Sequence, residues 1–435
     1  MDTGDTAWVM TSAALVLLMT PGLAFFYGGM VRTKSVLNMM MMSFSALGIV
    51  TVLWVIFGYS MAFGDDLGGG LVGDPSQYFG LKGLMSADAV FGTIPTLAFV
   101  GFQAVFAIIT VALISGAIAD RAKFGAWCVF VVIWAAVVYF PVAHWVFDFS
   151  GDEHVGGWIA NNLKALDFAG GTAVHINAGA AGLALALVLG KRVGWPKEPF
   201  RPHNLPFVML GAGLLWFGWF GFNAGSALGA NTLAAVAWVN TIAATAAALL
   251  GWLILERFRD GHATSLGAAS GVVAGLVAIT PAANSVSPIG AIIIGALAGV
   301  LCALAVGLKY KLGYDDSLDV VGVHLVGGLW GTLAIGLFAT STSPAGVDGL
   351  FFGGGVDQLW RQAVGAFAVL AFSFILTYII GFAIQKTIGF RLDPESEVEG
   401  IDGHEHAESA YDSSTGGGSV RPVVAKKTEE SEVPA

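Results

Sequence analysis

The stretch Asp167-Phe168-Ala169-Gly170-Gly171-Thr172-Ala173-Val174-His175 has a counterpart further along the chain, Asp316-Ser317-Leu318-Asp319-Val320-Val321-Gly322-Val323-His324. In both, Asp stands eight residues before His and Val one before. Glycines follow at four and seven, as Gly179 and Gly182 in the first and Gly328 and Gly331 in the second. Apolar runs rich in glycine share glycines by chance, but a shared Asp and His inside them mark an internal repeat.

The surroundings of the two stretches decide what kind of repeat it is. Of the 435 residues, 56% are hydrophobic and only 11% charged, where soluble domains carry roughly 25% charge. A soluble globular protein is excluded. Sixty glycines suit membrane helices whose backbones approach closely. Eleven apolar stretches are long enough to cross a hydrocarbon core of about 30 Å as helices. They lie near 8–30, 36–63, 93–118, 124–146, 168–190, 205–226, 232–255, 264–282, 289–308, 319–340 and 360–385.

The repeated motif opens the fifth and the tenth of these. Five helices per repeat is odd, so spans 1–5 and 6–10 enter the membrane in opposite directions, the inverted plan of many transporters. The expected fold is an all-α polytopic membrane protein with an inverted five-helix repeat and an eleventh helix outside it.

Basic residues orient it. Arg32, Lys34, Arg121, Lys123, the run Lys191–Arg201, Arg257, Arg259, Lys309, Lys311, Lys386 and the tail fall in alternate connections and make 17 of the 20 basic residues. Only Lys82, Lys164 and Arg361 lie on the other side. Short basic loops stay cytoplasmic, so the N-terminus is expected outside and the C-terminus inside. The first span follows Asp2 and Asp5 rather than basic residues, so it reads as an uncleaved helix and not a signal peptide.

The net charge of −10 divides unevenly: residues 391–435 hold eleven acidic and four basic side chains, −7, and the rest of the chain only −3. The acidity belongs to the tail and points to no nucleic-acid partner. Cys128 and Cys302 stand alone in apolar runs and offer neither a disulfide framework nor a metal spacing.

A rise of about 1.5 Å per residue puts each histidine about 12 Å inside its own face. A core of about 30 Å then leaves an axial gap of about 6 Å between them, so the two imidazoles are expected to meet near the midplane. A single buried histidine is most simply a packed residue satisfied by a carbonyl. Here only two histidines lie deep in the spans, at equivalent repeat positions, and ionisable groups there are costly and usually functional. No Cys or Glu stands near to complete a metal site. No span holds a central lysine for a Schiff base, which counts against a retinal protein. No cofactor is expected.

At these residues the chain resembles the ammonium transporter (Amt/Rh) family, in its bacterial ammonium transporter branch. Pro21-Gly22-Leu23-Ala24-Phe25-Phe26-Tyr27-Gly28-Gly29, the two Asp–His motifs and Gly218-Trp219-Phe220-Gly221-Phe222-Asn223-Ala224-Gly225-Ser226 carry the likeness across nearly the whole membrane region. The resemblance implies a homotrimer in the bacterial plasma membrane with one pore per subunit, and no enzymatic activity. His175 and His324 resemble the twin pore histidines, and Phe106 and Phe222 the stacked gate above them. Phe102, Phe106, Phe147 and Ser226 resemble the external recruitment site, with which we group Trp219, a pore-lining tryptophan. Asp167, and with it Asp316, is implied as structural support. One departure stands out. Phe147 occupies the place where many members have Trp, and a longer loop follows. Trp145 and Trp158 are the alternatives for completing the cation site.

The chemistry suits ammonium. Aromatic faces attract a cation by roughly 0.5–2 kcal/mol, and Ser226 can accept an N–H bond, but carrying the ion into hydrocarbon costs far more. Ammonia crosses cheaply, and potassium has no proton to give up. Paired neutral imidazoles supply a donor and an acceptor in an apolar channel. The expected mechanism is proton removal and ammonia conduction, with the proton travelling separately to give electrogenic uptake. The alternatives are an ammonium sensor and an Rh-type ammonia or carbon dioxide channel.

Residues 1–385 are thus expected to form the transporter domain and 386–411 a cytoplasmic regulatory region, with Gly389-Phe390-Arg391 and Glu399-Gly400-Ile401-Asp402-Gly403 carrying the likeness. The family implies control there by a trimeric P-II signalling protein. His404-Glu405-His406 reads as a solvated charge run. Residues 412–435 have a disordered composition.

Overall fold

The computed structural model describes residues 1–152 and 154–411; the expected disordered tail lies outside the described residues. Eleven helices account for the expected spans: α1 Thr3–Met30, α2 Val36–Phe63, α3 Thr96–Ile118, α4 Phe124–Phe147, α5 Gly171–Leu189, α6 Leu205–Gly225, α7 Thr232–Asp260, α8 Ser265–Ile279, α9 Pro288–Leu312, α10 Val321–Phe338 and α11 Asp357–Thr387. The one ladder among the described residues pairs Val90–Phe91 with Ile94–Pro95 in a connection.

Ten of the helices are long and apolar enough to span a bilayer by themselves. The eighth, expected over 264–282, stops at Ile279 after 15 residues. It can be short because every residue from Gly271 to Ile279 is buried, so protein and not lipid surrounds it. At the other extreme, α7 and α9 run past their apolar cores and carry Arg257, Arg259, Lys309 and Lys311 in their last turns.

The inversion is visible in the glycines. A Cβ on Gly221, Gly218 or Gly211 of α6 would meet Ser12 O at 2.6 Å, Leu15 O at 2.6 Å and Phe26 N at 2.3 Å. Falling numbers on α6 meet rising numbers on α1, so the first helices of the two repeats run antiparallel in backbone contact. The last helices do the same. Gly179 of α5 faces Leu325 of α10, with 2.5 Å from its would-be Cβ to Leu325 N, and Gly328 of α10 faces Gly171 and His175. Without a hydrophobic drive between helices in lipid, small residues of this kind set how closely the backbones pack.

Contacts gather the basic connections at one end, where Arg192 binds Asp315 and Asp120 at 2.8 and 3.1 Å and Arg121 Nη2 donates to Asp315 O at 2.6 Å. We call this the basic end and its opposite the amino-terminal end. The segment 390–406 packs against the basic end. Asp402 accepts from the N–H groups of Leu37 and Asn38 at the start of α2, and His406 Nε2 contacts Asn38 Oδ1 at 3.0 Å. The expected solvated run is therefore docked at His406, where the Phe124 ring shields one side at 5.0 Å, and exposed only at His404.

Candidate functional site: a histidine track closed by aromatic rings

Both histidines sit where their helices begin, and both beginnings are wound wide. Gly171–Ile176 and Val321–Leu325 form π turns, a geometry that recurs at functional sites. Each turn is anchored by the acidic residue of its motif. Asp167 accepts from the N–H groups of Gly170, Gly171 and Thr172 at 2.6–2.8 Å, from Ala173 at 3.3 Å, and from the Thr172 hydroxyl. Asp316 accepts from Val320 and Val321 at 3.1 and 2.7 Å. The carboxylates satisfy the orphan amides of a helix start.

His175 Nδ1 and His324 Nδ1 lie 3.2 Å apart, with ring centroids 5.4 Å apart and planes inclined by 21°. The expected meeting of the imidazoles is thus found in the fold. A hydrogen bond between two Nδ1 atoms needs one bearing a proton and one bare. If both rings are neutral, one presents a bare Nε2 as acceptor and the other an Nε2–H as donor. His175 Nε2 has no protein partner.

Two voids run along the rings. One, narrow enough to hold little more than a single small molecule, is lined by Phe222, Trp219, His175, His324, Val174, Ile109, Leu113, Leu215, Met19, Leu23, Phe26 and Val273. The second, equally narrow, shares Phe26, Val273 and His324 with it and continues to Asp319 and Tyr27. Apart from the imidazoles and the Trp219 indole, the first lining is wholly apolar.

Aromatic rings cap the track on the amino-terminal side. Phe106 and Phe222 stack at 4.1 Å with planes 19° apart, Phe102 lies 4.9 Å from Phe106, and Phe147 approaches Phe106 edge-on at 6.3 Å. Trp145 and Trp158 turn to each other instead, at 5.8 Å, and Trp145 packs on Phe372 at 4.5 Å. Of the three expected alternatives, Phe147 is the ring beside Phe106. Ser226 Oγ donates to Phe222 O at 2.8 Å, which leaves its lone pairs free to accept.

Trp219 does not join this outer group. It stacks on His175 at 5.4 Å and 16° and lines the void beneath Phe222, because it precedes Phe222 by less than one turn on the same helix. Its orientation depends on residues the sequence did not single out. Trp219 Nε1 donates to Thr280 Oγ1 at 2.8 Å, and Thr280 contacts Asn223 Oδ1 at 3.2 Å. Asn223 stood inside a quoted motif without a role; Thr280, 61 residues from Trp219, carried no local signal.

A third histidine is also fully buried. His144, in the last turn of α4, lies 3.1 Å from Ala62 O and 3.2 and 3.4 Å from the carboxylates of Asp148 and Asp66. The sequence places it near a helix end, which is why depth alone did not single it out. Among the described residues no His, Cys, Asp and Glu group has the arrangement of a metal site.

The profile of the Ammonium Transporter Family matches residues 7–411. An ammonium transporter of Mycobacterium tuberculosis is 65% identical over 444 residues, covering 97% of this chain and 93% of the relative. One from Bacillus subtilis is 48% identical, covering 95% and 100%. Among solved structures, the Sensor Amt Protein superposes with a TM-score of 0.85 at 29% identity, covering 93% of this chain and 98% of its own. Candida albicans Mep2 superposes at 0.83 with 36% identity, covering 91% and 88%.

Proposed function

The chain belongs to the ammonium transporter family, and from that premise we propose that it takes up ammonium at its amino-terminal end and conducts ammonia along the histidine track. Phe102, Phe106, Phe147 and Ser226 form the recruitment site. The Phe106–Phe222 pair is the gate, Trp219 flanks the upper imidazole, and Asp167 and Asp316 hold the two π turns.

The observation that carries this reading is the Nδ1–Nδ1 contact of 3.2 Å inside an apolar void. Removing an ammonium-sized ion from water into a low-dielectric interior costs several kcal/mol even after relaxation, and of order 20 in the ideal limit. No carboxylate lines the upper void to repay that cost. A neutral amine meets a lone pair on one ring and an N–H on the other. The ion is therefore deprotonated near the aromatic gate, where recruitment by cation–π contact ends. The proton moves separately over the paired rings, which makes uptake electrogenic.

The basic end faces the cytoplasm in this reading. There the 191–204 connection and the 390–406 segment are joined by a bond from Val193 N to Glu397 Oε1 at 2.7 Å, supporting residues 386–411 as a regulatory region. A homotrimer and a P-II signalling partner follow from the family resemblance. A sensing role for the same track is the second reading, favoured by the likeness to the Sensor Amt Protein.

Ammonium-evoked current in supported membranes, with potassium as competitor, tests the mechanism. We expect His175→Ala and His324→Ala to fold and to lose discrimination against potassium. Unaltered ammonium current with continued potassium exclusion in both variants would defeat it.

A further inference from the structure

The long loop after Phe147 crosses the amino-terminal end in a built arrangement. Gly156 and Gly157 lie against the last turn of α4 so closely that a Cβ on Gly157 would stand 1.8 Å from His144 O and one on Gly156 would stand 2.2 Å from Asp148 O. Gly157 N and Asn161 Nδ2 both donate to Asp148 O at 2.9 Å. The same loop is stitched to the connection after α2, with Trp158 N donating to Gly70 O at 3.1 Å and Asp66 N to Val155 O at 3.2 Å.

His154 bridges the two connections. Its Nδ1 lies 2.7 Å from Asp65 Oδ1, and its Nε2 lies 2.9 and 2.8 Å from the two oxygens of Asp148. Asp148 caps the end of α4 next to Phe147 and also contacts buried His144 at 3.2 Å, which in turn faces Asp66 at 3.4 Å. The order Asp65, His154, Asp148, His144, Asp66 therefore runs from a half-exposed carboxylate into the protein. Neither histidine belongs to the ammonia track.

We propose that His154 is a positioning residue for ammonium recruitment: by tying Asp148 to Asp65 it fixes the end of α4 and holds the Phe147 ring edge-on to Phe106. The proposal rests on the reading of Phe106 and Phe147 as recruitment residues. Both imidazole nitrogens face carboxylates, so the bridge is complete only when both carry protons. A neutral ring can donate to one partner and turns a lone pair on the other.

The surroundings favour the charged ring. Partial burial works against it, but the hydrogen bonds its ring donates to Asp65 and Asp148, with the charges of those carboxylates, outweigh burial and raise its pKa above the ordinary value. The groups facing it are Asp65 from the connection after α2 and Asp148 at the end of α4, with His144 and Asp66 lying beyond Asp148. Tyr78 stands behind Asp65, its hydroxyl 3.3 Å from the Gln77 amide that donates to Asp65, and Tyr59 of α2 packs on Tyr78 at 5.8 Å. Because the folded pKa is raised, the bridge is fully formed below the ordinary histidine value and is lost as pH rises through the folded value.

The test is the KM of ammonium-evoked current against external pH, from about pH 5.5 to 8.5 around the histidine range, at constant ammonium-ion concentration series. The wild type should show a low KM in acid that rises about threefold toward alkaline pH, the size of a weakened cation–π contact. His154→Ala should show the raised KM throughout, with the loss in KM and not in maximal current. His154→Arg restores two donors at every pH and should keep KM low and flat. Phe106→Ala and Phe147→Ala serve as references. If they raise KM and His154→Ala matches wild type at every pH, the positioning role is wrong while the recruitment site stands. If they too leave KM unchanged, the recruitment reading fails and the proposal with it.

Discussion

At the amino-terminal end of the track, where the rings of Phe147, Phe106 and Phe222 gather, Asp167 holds the π turn of α5 with four backbone N–H groups and a hydroxyl and remains partly exposed. At the basic end its repeat partner Asp316 is 2% exposed and holds the turn of α10 with two N–H groups. There Lys309 Nζ donates to Asp316 O at 2.9 Å and to Asp319 Oδ1 at 2.6 Å. One backbone plan is furnished twice, with aromatic faces at one mouth and with ion-paired ammonium and guanidinium groups at the other. The repeat supplies the track; the connections make its ends unlike, since rings attract a cation while the basic groups opposite are already paired with Asp120, Asp315 and Asp319.

Removing the anchors should break the two ends unequally. Asp167→Ala releases five donors at once, and each lost bond to a charged acceptor is worth about 1.5–3 kcal/mol. Exposure lets water replace some of them, so we expect a loss of about 5 kcal/mol or more and no ammonium current. Asp316→Ala releases two donors that water does not reach, with an expected loss of about 3 kcal/mol. Thermal melting of purified protein in detergent, together with the current, measures both. Equal losses would mean that the two turns are held by helix packing and not by their carboxylates.

The glycines four residues after each histidine test the same asymmetry more gently. A methyl group at Gly179 would lie 2.5 Å from Leu325 N and 2.7 Å from its Cα, so α10 must move and take His324 with it. At Gly328 the nearest atoms are Gly171 O and His175 Cβ, both at 3.1 Å, and a shift of a few tenths of an ångström suffices. Gly179→Ala should therefore cost about 1–3 kcal/mol, in the range of overpacked cores, and reduce current. Gly328→Ala should cost under about 1 kcal/mol. The reverse order in melting temperature would show that α5 and α10 yield at different places from those their contacts indicate.

These contrasts also mark what a sequence can disclose. The spans followed from hydropathy, and the inverted repeat from an Asp, a His and two glycines at fixed spacing, because both are local patterns that close packing requires. The meeting of His175 with His324 follows from helix rise, core thickness and the opposite entry of the two spans. The π turns had no sequence signature, since Asp167 gathers the first turn through side-chain bonds that no propensity encodes. Trp219 was grouped with the outer rings because spacing along a helix does not tell which layer a side chain enters. The bridge of His154 to Asp65 joins residues 89 apart and depends on a loop that only tertiary contacts define. Legibility ended where the connections, and not the helices, set the geometry.

The smallest effect probes the aromatic mouth. Phe147 meets Phe106 edge-on at 6.3 Å, and its Cζ stands 3.6 Å from where a Cβ on Gly170 would lie, so the absent side chain leaves room beside the ring. Indole has the stronger quadrupole of the two rings and binds a cation better by a fraction of the roughly 0.5–1 kcal/mol an exposed contact supplies. Phe147→Trp should accordingly lower the KM of ammonium-evoked current by about two- to threefold. It should leave the melting temperature within a few degrees, because the ring is only partly buried. At the basic end the corresponding turn is met by the Lys309–Asp319 pair and not by a ring. An unchanged KM for Phe147→Trp, alongside a raised one for Phe147→Ala, would assign the ring a packing role against Phe106 and move cation recognition to Phe102 and Ser226.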